Sequence, residues 1–221
     1  MIISHKHKFI FLKTNKTGGT STEHFLSSFC GPNDIITPIK HIHSDKKTYG
    51  NLNSNHKNYE KYNLSEHDSA LIVSKKYPKL FNLNYKVICN CRNPWSRYVS
   101  RFRFRFRFFH KGQKPTFSID SPSDFQFWLK NCQNSDPLKE VTEFASVSNK
   151  VVVTDWIKLE NINNDLKTFL KKLNLNIDKT LLNLKGNYKN QINYKDFYNE
   201  ESKNLVAEYH KNDIEYFNYK F

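Results

Sequence analysis

Lys16-Thr17-Gly18-Gly19-Thr20-Ser21 combines the residue types that hold an anion. Glycine has no Cβ, so a backbone there closes tightly on a ligand and exposes its N–H groups. Lys16 adds a full positive charge, and a helix beginning at this point adds its dipole and its first amides. The chemistry this predicts is binding of a phosphate-like group. It is not that of a Walker A loop, which needs Gly-x-x-x-x-Gly-Lys-Ser/Thr with the lysine after the last glycine. Here the lysine precedes both glycines, so the ATP or GTP reading loses its main support.

The flanking elements put the glycines where a ligand can reach them. Phe9-Ile10-Phe11-Leu12 is a short continuous apolar run, suited to a buried parallel strand. Phe25, Leu26 and Phe29 have helical spacing, and Thr20 with Glu23 stands in the Ser/Thr-x-x-Glu relation of a capping box. On this reading Glu23 caps its own helix. A second buried strand is predicted at Tyr85-Lys86-Val87-Ile88-Cys89, running directly into Arg92-Asn93-Pro94-Trp95-Ser96-Arg97-Tyr98-Val99-Ser100. Asn93 is a good N-cap and Pro94 fits the first helical position. The RFRFRFRF run that follows alternates like a strand. A helix explains more of it, because Trp95, Val99, Phe102, Phe106 and Phe109 fall on one stripe of about 3.6-residue period. Arg97, Arg101 and Arg105 lie on another side, and Phe104 and Phe108 then need a second covering surface.

Further along, helices are expected from Ser65 to Tyr77 with Pro78 as a stop, around Phe125 to Leu129, from Ile162 to Leu173, and around Leu205 to Phe217. A third strand is expected over Lys150–Ile157. Residues 33–63 and 174–193 read as long loops, and 131–148 show no clear pattern. Strands alternating with helices predict one α/β domain spanning 1–221, a three-layer sandwich with a mainly parallel sheet. Ligands in such sheets sit at the carboxyl ends of strands. The glycine turn and the arginine turn each follow a strand, so both are expected at one crevice.

The chain has 221 residues, 38% hydrophobic and 15% aromatic, with a mean hydropathy of −0.74. That is polar overall but rich enough in aromatics for a core. A net charge of +14 and a pI near 9.5 imply an anionic partner: nucleic acid, acidic glycan, nucleotide phosphates or a membrane surface. No apolar stretch reaches the length of a membrane span, and His5, Lys6, His7 and Lys8 interrupt any signal-peptide core, so a cytoplasmic, soluble protein is expected. Cys30, Cys89, Cys91 and Cys132 form no metal-ligand pattern and are read as reduced, mostly buried thiols, with no metal expected.

Two anion motifs on adjacent strand ends suit a nucleotide with two separated anionic groups, and here the chain resembles a family. FIFLKTNKTGGTSTEHFL is similar to the 5′-phosphosulfate loop of the sulfotransferases, especially the carbohydrate-type families, and RNPWSRYVS is similar to their 3′-phosphate motif. DWIKLENINNDLKTFLKKLNL and FYNEESKNLVAEYHKNDIEYFNYKF resemble later segments of the same families, in the same order. The resemblance implies a P-loop nucleotide-hydrolase-like sulfotransferase fold and 3′-phosphoadenylyl sulfate (PAPS) as sulfuryl donor. Lys16, Thr17, Gly18, Gly19, Thr20 and Ser21 would hold its 5′-phosphosulfate, and Arg92 and Ser100 its 3′-phosphate, with Arg97 as an ion-paired or solvated neighbour. It also implies a general base before the 3′-phosphate strand, a position His67 in SEHDSA matches best; His41 and His43 are rivals, with His24 and His110 behind them. The reaction expected is in-line sulfuryl transfer to a hydroxyl or amine, with Lys16 stabilising the leaving bisphosphate and a carbohydrate or other small hydroxylated molecule as acceptor. Basic residues of the Lys185–Lys189 loop are a further candidate contact to the nucleotide.

Two other classes compete. A nucleotide or nucleoside kinase of related fold would need Mg²⁺ and a Walker A loop to accompany Asp155. A non-catalytic polyanion or nucleic-acid binder would rest on the +14 charge and the arginine–aromatic helix. Nucleic acid is the less expected partner of the two anion types.

Overall fold

A computed structural model describes residues 1–38, 58–108, 117–135, 137–175 and 193–221. The chain divides into two compact units. The first comprises Met1–Cys91 with the described part of 143–187, and the second comprises Arg92–Thr142 with the described part of 188–221.

The first unit is built on a five-stranded sheet in the order β3-β1-β2-β4-β7. β2 (Phe9–Leu12) is fully buried, as its unbroken apolar run requires. It pairs in parallel with β4 (Lys86–Cys91), Phe11 opposite Ile88 and Leu12 opposite Cys89. β4 in turn pairs in parallel with β7 (Asp155–Lys158). β1 (Ile2–Ser4) runs antiparallel to both β2 and β3 (Ile35–Ile36), so the sheet is mixed, with β1 the one strand reversed. The β1–β2 hairpin is tied down by Asp34, which accepts from the amides of His5 (2.7 Å), Lys6 (3.0 Å) and Gly31 (2.8 Å) and from Ser4 Oγ (2.8 Å). α1 (Gly19–Ser27) and the helix Ile162–Lys172 supply Phe25, Leu26, Leu166, Phe169 and Leu170 to a core with Ile2, Phe9, Phe11, Ile88 and Ile157. Phe9 and Phe169 meet edge to face at 5.8 Å.

Several expectations need correction. The capping box at the start of α1 does not form: the cap is Gly18 in the left-handed region, no side chain caps the helix, and Glu23 is committed elsewhere. The helix expected over 65–77 begins only at Ala70. Ser69 caps this α2 (Ala70–Lys76), and Pro78, expected only to stop it, also opens a new helix, α3 (Pro78–Asn82). The strand expected over 150–157 is split. Lys150–Val151 forms β6 and pairs with β5 (Ser146–Val147) in a separate two-stranded ribbon, while Asp155–Lys158 alone joins the main sheet. Within the loop expected over 33–63, Ile35–Ile36 forms the edge strand β3. Residues 39–57, with His41 and His43, lie outside the described residues, as do His110 and the Lys185–Lys189 loop.

The second unit is helical. α4 (Pro94–Phe108) carries the RFRFRF run, and its cap is as expected: Asn93 Oδ1 accepts from the amides of Trp95 (3.1 Å) and Ser96 (3.3 Å). Trp95, Val99, Phe102 and Phe106 are buried on one stripe, joined by Tyr98; Phe109 lies outside the described residues. Phe102 is the hub, with Phe106, Phe125 and Trp128 rings at 5.1, 5.6 and 5.5 Å. Phe125 and Trp128 come from α5 (Pro122–Ser135). α6 (Val141–Phe144) follows, and in the main sheet's unit the helix Ile162–Lys172 becomes α7. The expected C-terminal helix is two, α8 (Glu200–Tyr209) and α9 (Lys211–Phe217). Arg97, read from sequence as solvated or ion-paired, is 3% exposed, and its Nη1 donates to the Lys139 carbonyl at 2.9 Å.

Among the described residues no helix is long and apolar enough to cross a membrane. Cys89, Cys91 and Cys132 are buried free thiols and Cys30 is half-buried. Phe102→Ala is expected to cost about 3–5 kcal/mol, the range for emptying a packed aromatic site. The urea midpoint measures it, and a value under about 1 kcal/mol would show that the aromatic cluster does not hold this unit together.

Candidate functional site

Lys16 sits where the chain turns from β2 into α1. Its own φ is +64° and that of Gly18 is +83°, so the turn uses two left-handed residues in three. Gly18 is favoured by its positive φ, and Gly19 by the lysine stem packed on it. A Cβ on Gly18 would come 2.7 Å from Leu159 Cδ1, and one on Gly19 would come 2.8 Å from Lys13 Cγ. Beneath the turn, Thr14 Oγ1 donates to the Asn90 carbonyl (2.8 Å) and lies 2.8 Å from Thr17 Oγ1. With Thr14 donating to Asn90, the proton between the two hydroxyls comes from Thr17. The Thr17 hydroxyl, expected to face a ligand, is therefore spent inside the turn, and Thr17 is fully buried. Thr20 and Ser21 lie in the first turn of α1, 7% and 8% exposed, with the Ser21 and Thr22 amides donating to the Gly18 carbonyl. Asn90 Nδ2 reaches Thr22 Oγ1 at 3.1 Å, which ties α1 to β4.

The residue sequence reasoning missed is Lys13. Its Nζ lies 2.7 Å from Glu23 Oε2 and 2.7 Å from Glu66 Oε2, and all three side chains are buried. Glu23 also accepts from the amine of Met1, which in addition donates to Thr37 Oγ1 at 2.7 Å. Burial opposes every one of these charges. It wins at the Met1 amine, pushed down to about 6, but not at Lys13, which Glu23 and Glu66 hold above 10.5. Glu23 and Glu66 are likewise held below 4.5 despite burial, Glu23 by the Met1 amine and Lys13, Glu66 by Lys13 and then His67.

His67 joins this cluster through the backbone. Its Nδ1 lies 2.7 Å from the Lys13 carbonyl. A carbonyl only accepts, so the neutral ring carries its proton on Nδ1 and keeps the lone pair on Nε2. Nε2 is 3.9 Å from Glu66 Oε2, and the His67 side chain is 34% exposed while those of Lys13 and Glu66 are buried. Burial lowers its pKa below 6.5, more than the Lys13 hydrogen bond and Glu66 raise it. His67 is thus a neutral, oriented imidazole at neutral pH. His24, the weaker rival within the described residues, lies in α1, and burial lowers its pKa as well.

The structure brings together the Lys16 turn, through Lys13, and His67. Arg92 and Ser100 belong to the second unit. Arg92 follows the last residue of β4, and its Nε and Nη2 both donate to Ser96 Oγ, at 3.0 and 2.7 Å. Ser96 and Ser100 are four apart on α4 and so share a face, with Ser100 half-buried. Among the described residues no group of His, Cys, Asp and Glu is arranged to hold a metal ion. No protein-family model, curated protein or solved structure matches the chain.

Removing one partner of a buried ion pair strands the other. Glu23→Gln is expected to cost about 3 kcal/mol near neutral pH. Because the folded pKa of Glu23 lies below 4.5, its contribution is complete above that pH and is lost as pH falls through the folded value. Lys13, raised above 10.5, keeps its contribution until pH rises through its own folded value. Urea unfolding across pH would show the acid limb below 4.5 in the wild type and a shallower one in Glu23→Gln; identical limbs would remove Glu23 from the account.

Proposed function

We propose that the protein is a PAPS-dependent sulfotransferase with a P-loop-like nucleotide-binding turn, acting on a hydroxyl or amine of an acceptor, a carbohydrate being the class its motifs favour. The observation that carries the reading is the β2–α1 turn: a lysine and two glycines, one at positive φ and one packed against the Lys13 stem, at the carboxyl end of a buried parallel strand, with an imidazole of defined lone pair bonded to the Lys13 carbonyl. Within the first unit β2 and β4 are parallel neighbours, Leu12 opposite Cys89.

PAPS supplies an activated sulfuryl group whose bridging oxygen departs on phosphate. Lys16, with the amides of the α1 start, stabilises negative charge building on that oxygen. His67 takes the acceptor proton at Nε2 as the acceptor oxygen or nitrogen bonds to sulfur, and the S–O bond to the phosphate breaks. Arg92, its fork oriented by Ser96, binds a second phosphate, with Ser100 on the same helix face as a further donor. None of these roles calls for a metal.

Calorimetry with 3′,5′-ADP tests the binding half. Arg92→Ala is expected to weaken it about tenfold or more, the worth of a charge-assisted hydrogen bond. Lys16→Ala should abolish transfer from labelled PAPS. His67→Gln should slow transfer by about 10²–10⁴ with nucleotide affinity kept. The lowered pKa of His67 puts the acid limb of kcat/KM below pH 6.5, since the base form persists as pH falls to its folded value. Steeply salt-dependent nucleic-acid binding with no saturable 3′,5′-ADP site would replace this reading with that of a polyanion binder.

A further inference from the structure

Lys13 does three separate things. Its stem packs so closely on Gly19 that a Cβ there would lie 2.8 Å from Cγ. Its carbonyl holds the His67 ring. Its ammonium bridges Glu23 and Glu66, and the same Glu66 Oε2 that it binds at 2.7 Å is 3.9 Å from His67 Nε2. An unpaired carboxylate at that distance would draw a proton onto Nε2 and turn the ring into a bound imidazolium, which accepts no proton.

We infer that Lys13 is a positioning residue for His67: its carbonyl fixes the Nδ1–H tautomer and its ammonium holds Glu66 off Nε2, leaving that nitrogen free to receive an acceptor proton. The identity of that proton rests on the sulfuryl-transfer reading; the state of the ring does not. Among the described residues the charged groups acting on His67 are Glu66 beside it in the chain, Lys13 after β2 and the Met1 amine before β1, with Glu23 on α1 paired to Lys13 and Met1. Asp68, one residue on, is engaged by the Ser65 amide (3.1 Å) and Lys76 (3.2 Å).

Histidine-¹⁵N NMR on the full chain reads this directly, with the His67 signal assigned by its loss in His67→Gln. The wild type is expected to show the neutral Nδ1–H tautomer. Lys13→Met keeps the apolar stem, removes a nearby cation and releases Glu66, so the His67 midpoint should rise by about one pH unit. Glu66→Gln removes the carboxylate and should lower the midpoint, and Lys13→Met/Glu66→Gln should bring it back down from the Lys13→Met value. Should Lys13→Met not fold, Glu66→Gln decides alone, because the Lys13–Glu23 pair survives in it. An Nε2–H tautomer in the wild type, or a His67 midpoint that stays put in Glu66→Gln, overturns the inference.

The acid limb of PAPS turnover should move with the NMR midpoint, upward in Lys13→Met and downward in Glu66→Gln, a coupling that a merely structural lysine would not produce. Shifted midpoints without PAPS turnover in any form would retain the positioning role and remove the sulfotransferase reading. Turnover with unshifted midpoints would do the reverse.

Discussion

A lysine buried between two carboxylates is the constraint on which the first unit depends. Taking a single charge out of water costs several kcal/mol even after relaxation, and only close opposite charge offsets it. Lys13, Glu23 and Glu66 come from the end of β2, the middle of α1 and a segment more than forty residues later. None of the three can be buried in isolation, so docking of α1 and of the 65–68 turn is coupled to the strand end that carries the glycines. The cluster therefore fixes where the Lys16 turn lies against the sheet, and its cost explains why Gly19 admits no Cβ: the lysine stem it would displace has no alternative place for its charge.

The turn itself is closed by a second, neutral set of bonds. Thr17 donates inward, Thr14 passes a hydrogen bond to Asn90 on β4, and the Asn90 side chain returns to Thr22 on α1. Two left-handed residues, Lys16 and Gly18, let the chain reverse within this short span. For Lys16 that conformation is a cost of the order of 1 kcal/mol. Backbone strain of this kind is retained where the surroundings over-determine the conformation, as the Lys13 cluster below and the Thr14–Asn90 bond do here.

The strands and helices with strong periodicity were legible from the residues. β2 was marked by its apolar run, α7 by Leu166, Phe169 and Leu170, and α4 by a stripe that outweighed the apparent alternation of RFRFRF. What misled was Glu23. Thr-x-x-Glu is the spacing of a capping box, but the same glutamate is the only acidic residue in α1 and faces a lysine that continues the Phe9–Phe11 alternation. A charged residue in the phase of a buried strand face requires a buried counter-charge, and that signal was present in Lys13. Glu66 was not legible in this way, because its partner is distant in sequence and no period connects them. The split of 150–157 into two pairings likewise depends on tertiary partners rather than on local pattern.

The two lysines of the turn illustrate how burial divides labour between identical side chains. Lys13 is 3% exposed and its charge is cancelled within the protein, whereas Lys16 is half-buried in a left-handed turn at the helix start. That cancellation matters for any anion approaching the turn. On the proposed reading, Glu23 and Glu66 left unpaired would add two negative charges close to the α1 start, and their repulsion would oppose what a helix start contributes to anion binding. With Lys13 between them the cluster carries about one net negative charge, reduced further whenever the Met1 amine is protonated. On the proposed reading the buried lysine thus serves anion binding without touching the anion, by keeping the field at the turn from turning against it.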